Sequence, residues 1–113
     1  VPDNLWHIYG DNEVDEVGTT CGAARCADLI LVVDELSQQT CIEINELLGI
    51  TSDGVAPPTD VNIDETLYDG VFSYGETIAN EAGGIEMLGK SAACFHRTTV
   101  PTEYTFYKVL QAR

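Results

Sequence analysis

Positive charge is the scarcest feature of this 113-residue chain: five lysines and arginines stand against 19 acids, a net charge of −14. Nucleic acid and anionic membrane surfaces repel such a chain and are disfavoured as partners. A solvated surface, divalent cations or a basic partner remain. Long apolar runs are also missing. The longest, Leu29–Val33, has five residues, far short of the roughly 20 that cross a bilayer as a helix. No stretch has the form of a cleavable leader. The chain opens on Val1 rather than Met, so the expectation is a processed or truncated form whose export address lies upstream.

Catalytic signatures are equally sparse. No Cys-x-x-Cys occurs, which excludes a thioredoxin-like motif, and there is no Gly-x-Ser-x-Gly and no Walker loop. Gly83-Gly84 reads as a turn, not a phosphate cradle. His7 and His96 are the two histidines. Cys94 and His96 lie two apart and share a strand face, but a cysteine held in a disulfide has no thiolate to offer. Among 19 acids, paired carboxylates are expected from composition alone and do not mark a glycosidase. No catalytic residue follows, and a protein other than an enzyme is expected.

What is present suits a single folded domain spanning residues 1–113. Hydrophobic residues make up 44% of the chain, enough for a modest core. The clearest element is the helix around Leu36–Ile50. Ser37 is a good N-cap, Leu36 and Cys41 can staple its start, and Gly49 suits the left-handed position beyond its end. At helical spacing Thr40, Cys41, Ile44, Leu47 and Leu48 are expected on the inner face, with Glu43 and Glu46 outward. Before it, Asp28–Leu36 is open to a longer helix, but its β-branched Ile30, Val32 and Val33 favour a strand.

Elsewhere Asn4–Tyr9 reads as a strand or an extended lead-in ended by Gly10, and Asp11–Thr20 as an acidic turn-rich stretch. Cys21–Cys26 is either a local disulfide ring or a helical turn through Ala23–Ala27. Thr51–Asp69, with Pro57-Pro58, is a long polar connection. Val71–Tyr74 can form a strand, Glu76–Ala82 a helical turn or loop, and Ile85–Leu88 a short strand. Ser91–Thr98 and Glu103–Gln111 are the most convincing strands, and Thr99–Thr102 with Pro101 joins them as a hairpin. The fold class is α+β: an antiparallel sheet with a C-terminal hairpin and one short amphipathic helix packed on it. Trp6, Tyr9, Tyr104, Phe106 and Tyr107 are expected as packing residues.

Four cysteines, an even number in a small acidic domain, favour disulfides and an extracytoplasmic, oxidising location. Three connectivities are open. Cys21–Cys26 with Cys41–Cys94 is favoured, because Cys94 falls in a sheet strand and Cys41 on the helix face that covers it. A tetrathiolate zinc site lacks the paired spacings it needs.

Two charge features point to partners. Residues 1–89 carry 18 acids and only Arg25 as a base; residues 90–113 carry Lys90, Arg97, Lys108 and Arg113 against Glu103. The plain reading is chance placement. The sharper one is head-to-tail packing of like subunits, basic tail edge against acidic face. Asp60, Asn62 and Asp64 alternate as oxygen ligands do toward Ca²⁺, with Glu65 as a further candidate and Asp53 or Asp69 within reach. The stretch is not an EF-hand, since Glu65 replaces the glycine and Val71 the closing glutamate. Calcium is the one cofactor so suggested, against a simply solvated loop; Asp11–Glu16 is a second acidic cluster.

The apolar Leu29–Val33 strand, Leu36-Ser37 leading into a helix with Cys41 in its first turn, the Ala93-Cys94-Phe95 strand and the closing Phe106-Tyr107-Lys108-Val109-Leu110 together resemble the soluble head domains of type IV pilins and type II secretion pseudopilins. The resemblance covers residues 28–50 and 91–113. The family's N-terminal apolar helix, with a glutamate near its start, is not within these residues. The resemblance implies a structural subunit of a bacterial envelope filament, in the periplasm or at the cell surface. It would act by packing against copies of itself or other pilin-like subunits, and would touch a membrane only through that N-terminal helix. The expectation of another class is a small secreted, disulfide-stabilised calcium-binding interaction module.

Overall fold

A computed structural model describes residues 6–14, 17–18, 21–50, 56–60, 67–78, 89–97 and 103–113. Its frame is a sheet of four antiparallel neighbours. The central strands are β2 (Asp28–Leu36) and β6 (Glu103–Gln111), flanked by β1 (Trp6–Val14) and β5 (Ala92–Arg97). Two short strands run parallel along the outer edges: β3 (Thr59–Asp60) beside β5, and β4 (Glu76–Ile78) beside β1. The full order is β3-β5-β6-β2-β1-β4. One helix, α1 (Gln38–Leu48), packs on β5 and reaches β6. The C-terminal hairpin pairs β5 with β6 from Ala92↔Lys108 to Arg97↔Glu103.

β2 is a strand because its β-branched residues have a partner on each side, β1 and β6. Opposed residues of antiparallel strands point to the same side, so the pairings sort the sheet into two sides. On one, His7, Val32, Tyr107 and Ala93 make a row, with Tyr9, Ile30 and Val109 in the next. This side carries the core: Tyr9, Ile30, Val32, Ala93, Phe95 and Tyr107, joined by Val14 and Ile78. Burying each large side chain there contributes about 1.5–3 kcal/mol. On the other side, Trp6, Val33, Phe106 and Cys94 make one row, and Ile8, Leu31, Lys108 and Ala92 the next.

The helix starts and stops on local signals. The Ser37 hydroxyl accepts from Thr40 N at 3.1 Å. Gly49 takes φ +73°, and its N–H and that of Ile50 close onto Glu46 O and Asn45 O. Its inner face differs from the periodicity. Cys41 and Asn45 are the buried residues, whereas Thr40 and Leu48 are exposed and Leu47 is 88% exposed. A polar residue is drawn inward because its amide finds backbone partners there, and that rotation turns the two leucines out.

β1 also departs from expectation. It does not end at Gly10 but continues through Asp11, Asn12 and Glu13 to Val14, with an irregularity between Tyr9 and Asn12. These polar residues are buried, not part of an acidic turn. The Glu13 carboxylate accepts from Cys21 N and Gly22 N, each at 3.0 Å, which offsets its desolvation. Gly10 is required by packing, since a Cβ there would run into the Tyr68 ring.

Val71–Tyr74 is irregular rather than a strand. It still follows the outer edge of β1, where Ser73 N donates to Gly10 O at 3.2 Å and Gly75 N to Asp11 O at 2.7 Å. The strand begins later, at Glu76, where a helical turn or loop was the expectation, because Ile78 pairs beside Val14 in the core. Within the connection 51–69, Pro57 and Pro58 are buried and Leu67 bridges Tyr9. The expected strand Ile85–Leu88 and the hairpin loop Thr99–Thr102 lie outside the described residues.

Candidate assembly surface

Two disulfides shape the domain. Cys21–Cys26 closes a ring containing a single 3₁₀ turn, Ala24–Cys26. Buried Glu13 gathers the two N–H groups at the start of that ring. Cys41–Cys94 ties α1 to β5. One turn further along α1, Asn45 reaches the same strand residue. Its Nδ2 donates to Cys94 O at 2.7 Å, and its Oδ1 accepts from Cys94 N at 2.8 Å. The helix is therefore fixed to Cys94 both covalently and by a two-point amide pair. Bridged cysteines offer no thiolate, so the proximity of Glu13 to Cys21 and Cys26 is not a metal site while the bridge is closed.

The outer edges of β5 and β1 are occupied along much of their length, leaving the short β3 and β4 as the outermost strands among the described residues. At β5, Cys94 is paired by Asn45, His96 N donates to Pro58 O at 2.8 Å, and β3 covers His96 and Arg97. At β1, Tyr68 N donates to Ile8 O at 2.9 Å, Ser73 and Gly75 take the next carbonyls, and β4 pairs Asn12 to Val14. Along β1 and β5, an added strand thus finds few open positions among the described residues.

One face offers itself. Cys94 points to the side opposite the core, so α1 is anchored at the β5 end of the row Cys94–Phe106–Val33–Trp6. The rest of that side is an apolar shelf. Ile8, Leu31, Val33 and Phe106 are only half-buried, while Trp6 and Leu110 are 46% and 48% exposed. The central β2 is apolar on both sides, as for a strand meant to be covered on both, yet on this second side Leu31 and Val33 are only partly covered. Contiguous exposed apolar surface of this kind marks interaction sites.

The C-terminal residue is also fixed. Arg113 N donates to Asp28 Oδ1 at 2.8 Å, and Val14 N to Asp28 Oδ2 at 2.9 Å. The Arg113 guanidinium lies 3.8 Å over the Phe72 ring. Burial pushes the Asp28 carboxyl above its ordinary range, against the opposing pull of its two backbone donors. At the other end of β6, Arg97 Nη1 donates to Glu103 Oε1 at 2.9 Å, and Thr105 Oγ1 to Asp34 Oδ1 at 3.2 Å. Burial, then the neighbouring Asp34 charge, raise the Glu103 carboxyl, with Arg97 acting in the opposite direction.

Of the calcium candidates, Asp60 falls in β3 through its backbone, while Asn62, Asp64 and Glu65 lie outside the described residues, as does Asp53. Of the second acidic cluster, Asp11, Asn12 and Glu13 are buried in β1, which removes them from a solvated metal loop; Asp15 and Glu16 lie outside the described residues. Asp11 and Asp69 border a shallow cleft of about 200 Å³ with Gly10, Leu67, Tyr68 and Val71, below the usual size of small-molecule sites. His96 stacks on Tyr104 across the hairpin at 4.6 Å between centroids.

Sequence reasoning missed Asn45 and the shelf. Asn45 carried no signal beyond its place one turn after Cys41. The shelf was announced by the unbroken Leu29–Val33 run, which is one residue type on both sides of a strand. Among the described residues no helix is long and apolar enough to cross a membrane. Comparison of the chain with known families, with curated proteins and with solved structures finds no match.

Proposed function

We propose that this chain is the head domain of a pilin-like envelope filament subunit, acting through assembly rather than catalysis. The observation that carries the reading is the apolar shelf on a head stapled by disulfides, with the outer edges of β1 and β5 largely taken up. Among the described residues, the shelf is a contiguous apolar surface that such a domain could bury on assembly. β1 begins on that surface at Trp6, so a helix preceding β1 would reach the shelf without crossing the sheet. The Cys41–Cys94 and Cys21–Cys26 bridges suit an oxidising compartment, here the periplasm or the cell surface. The mostly acidic outer surface would face solvent or neighbouring subunits. The α1–β5 staple and the C-terminal hairpin agree with the head-domain resemblance drawn from residues 28–50 and 91–113.

The test is the natural gene product. If the reading holds, the coding sequence ahead of Val1 specifies about 20 apolar residues with an early glutamate after a short basic leader. The mature protein then co-purifies with sheared surface filaments or with a membrane-bound pseudopilus. A mature chain that starts near Val1 after an ordinary cleaved signal, and is recovered as a free secreted domain, refutes it.

A further inference from the structure

Glu13 is an acid buried against a pair of cysteines. Its side chain is 1% exposed, as is Cys26. The carboxylate accepts from Cys21 N and Gly22 N, which holds β1 and the Cys21–Cys26 ring together at that point. One carboxylate oxygen and the two sulfurs lie within 4.8 Å of one another. The cysteines are five residues apart, with Cα atoms separated by 5.9 Å. Arg25, the one base of residues 1–89, lies inside the same ring.

Closed, the ring has no thiolate to offer. The chain is synthesised with thiols, however, and a dithiol reductant returns a closed ring to that state. Two sulfurs bound at about 2.3 Å to a tetrahedral ion stand roughly 3.8 Å apart. A Cα separation of 5.9 Å permits that by side-chain rotation. The two backbone donors to Glu13 hold its carboxylate beside them as a third ligand.

Ionising both thiols next to a buried carboxylate gathers three negative charges, which is unfavourable until a cation arrives. A divalent ion removes most of that repulsion, and Arg25 supplies a further positive charge nearby. Thiolate donors select a thiophilic ion such as zinc over calcium or magnesium, which take oxygen ligands.

We infer that Glu13, Cys21 and Cys26 form, in the thiol state of the ring, a binding site for one thiophilic divalent cation, with water in the fourth position. Loading converts two thiols and one cation into two metal–thiolate bonds and releases two protons to solvent. Bridge formation instead passes two electrons and two protons to a disulfide oxidant, which leaves as two thiols. Ion and bridge compete for the same two sulfurs, so the ring is either loaded or bridged. The site stands independently of the filament reading.

The 113-residue chain would be reduced with a phosphine, freed of reductant under nitrogen and titrated with Co²⁺ as a spectroscopic probe. A thiolate-to-cobalt charge-transfer band and the visible bands of a tetrahedral ion should appear with about one equivalent. They should be absent from the unreduced chain and from Cys21→Ser/Cys26→Ser, which keeps Cys41 and Cys94. Glu13→Gln should weaken binding roughly tenfold or more, with its amide spectrum reporting whether the fold persists. X-ray absorption of the zinc-loaded, unsubstituted chain counts donors without any substitution, and two sulfurs with two lighter atoms are expected. Zinc should also slow closure of the Cys21–Cys26 bridge by oxidised glutathione. No uptake by the reduced chain, uptake that survives Cys21→Ser/Cys26→Ser, or a shell of three or four sulfurs overturns the site. Unchanged affinity in a folded Glu13→Gln chain removes Glu13 as a ligand and overturns it as stated.

Discussion

Asn45 and Cys94 are joined by two hydrogen bonds that copy the pattern of a neighbouring strand: side-chain Nδ2 to backbone O at 2.7 Å, and backbone N to side-chain Oδ1 at 2.8 Å. Both residues are fully buried. One amide thus finishes the edge of β5 where β3 does not reach. Asn45→Ala leaves a buried N–H and a buried C=O unpaired and should cost about 2–4 kcal/mol. Asn45→Asp should cost at least as much, because a carboxylate would face the Cys94 carbonyl. Urea unfolding measures the loss, and faster exchange of the Cys94 amide localises it.

The two bridges should contribute unequally. They close loops of 53 and five residues, which on the chain-entropy account contribute about 4 and about 2 kcal/mol. Cys41→Ala/Cys94→Ala should therefore lower the urea midpoint more than Cys21→Ala/Cys26→Ala does. Intact mass under reducing and non-reducing conditions should differ by two hydrogens per bridge, and equal masses would show that the bridges do not form.

Acidification should stabilise this domain before it harms it. Asp28 and Glu103 both have folded pKa values raised above 3.8 and 4.5 respectively, mainly by burial. The native state then holds these protons more tightly than the unfolded chain does. Their contribution is fully present below those unfolded values and is lost as pH rises through the folded ones. Reduced self-repulsion in a chain of net charge −14 acts in the same direction. The melting temperature should rise from pH 7 toward the mildly acidic range. Glu103→Gln keeps an acceptor for Arg97 while removing the titration, and should flatten part of that slope.

Gly10→Ala should destabilise by about 1–3 kcal/mol, because the new methyl meets the Tyr68 ring packed over β1. The penalty should shrink in a Tyr68→Ala background. A double-mutant cycle in urea gives the coupling directly, and an equal penalty in both backgrounds would place the strain elsewhere.

Which parts of the fold were legible follows from where their determinants lie. The limits of α1 are written locally: Ser37 bonds three residues ahead, and Gly49 supplies its own left-handed turn. β2 and the C-terminal hairpin are legible for a similar reason, since β-branched and aromatic residues favour a pleated surface whatever they pair with. The inward turn of Asn45, the burial of Asp11, Asn12 and Glu13, and the strand at Glu76–Ile78 were not legible. Each is a polar or short stretch whose partners are remote in sequence, 49 residues away for Asn45. Composition marks such residues as surface, and only the assembled backbone supplies the groups that make them interior. The shelf lay between these cases: its apolar residues were read correctly as strand, but no sequence pattern told which of them the rest of the chain would leave uncovered.

The position of β6 has a consequence for how the domain is made. The strand furthest along the chain is an inner one, flanked by β5 and β2, and Arg113 N closes onto Asp28 across 85 residues. A ribosome or a translocation channel releasing the chain from its N-terminus delivers β1, β2 and α1 with a gap where the sheet's middle belongs. Until β6 emerges, the core row through Tyr107 is incomplete and Cys94 has no inner strand to pair with. The sheet therefore closes only when β6 arrives, with the small Cys21–Cys26 ring free to close early and the Cys41–Cys94 bridge set to close late.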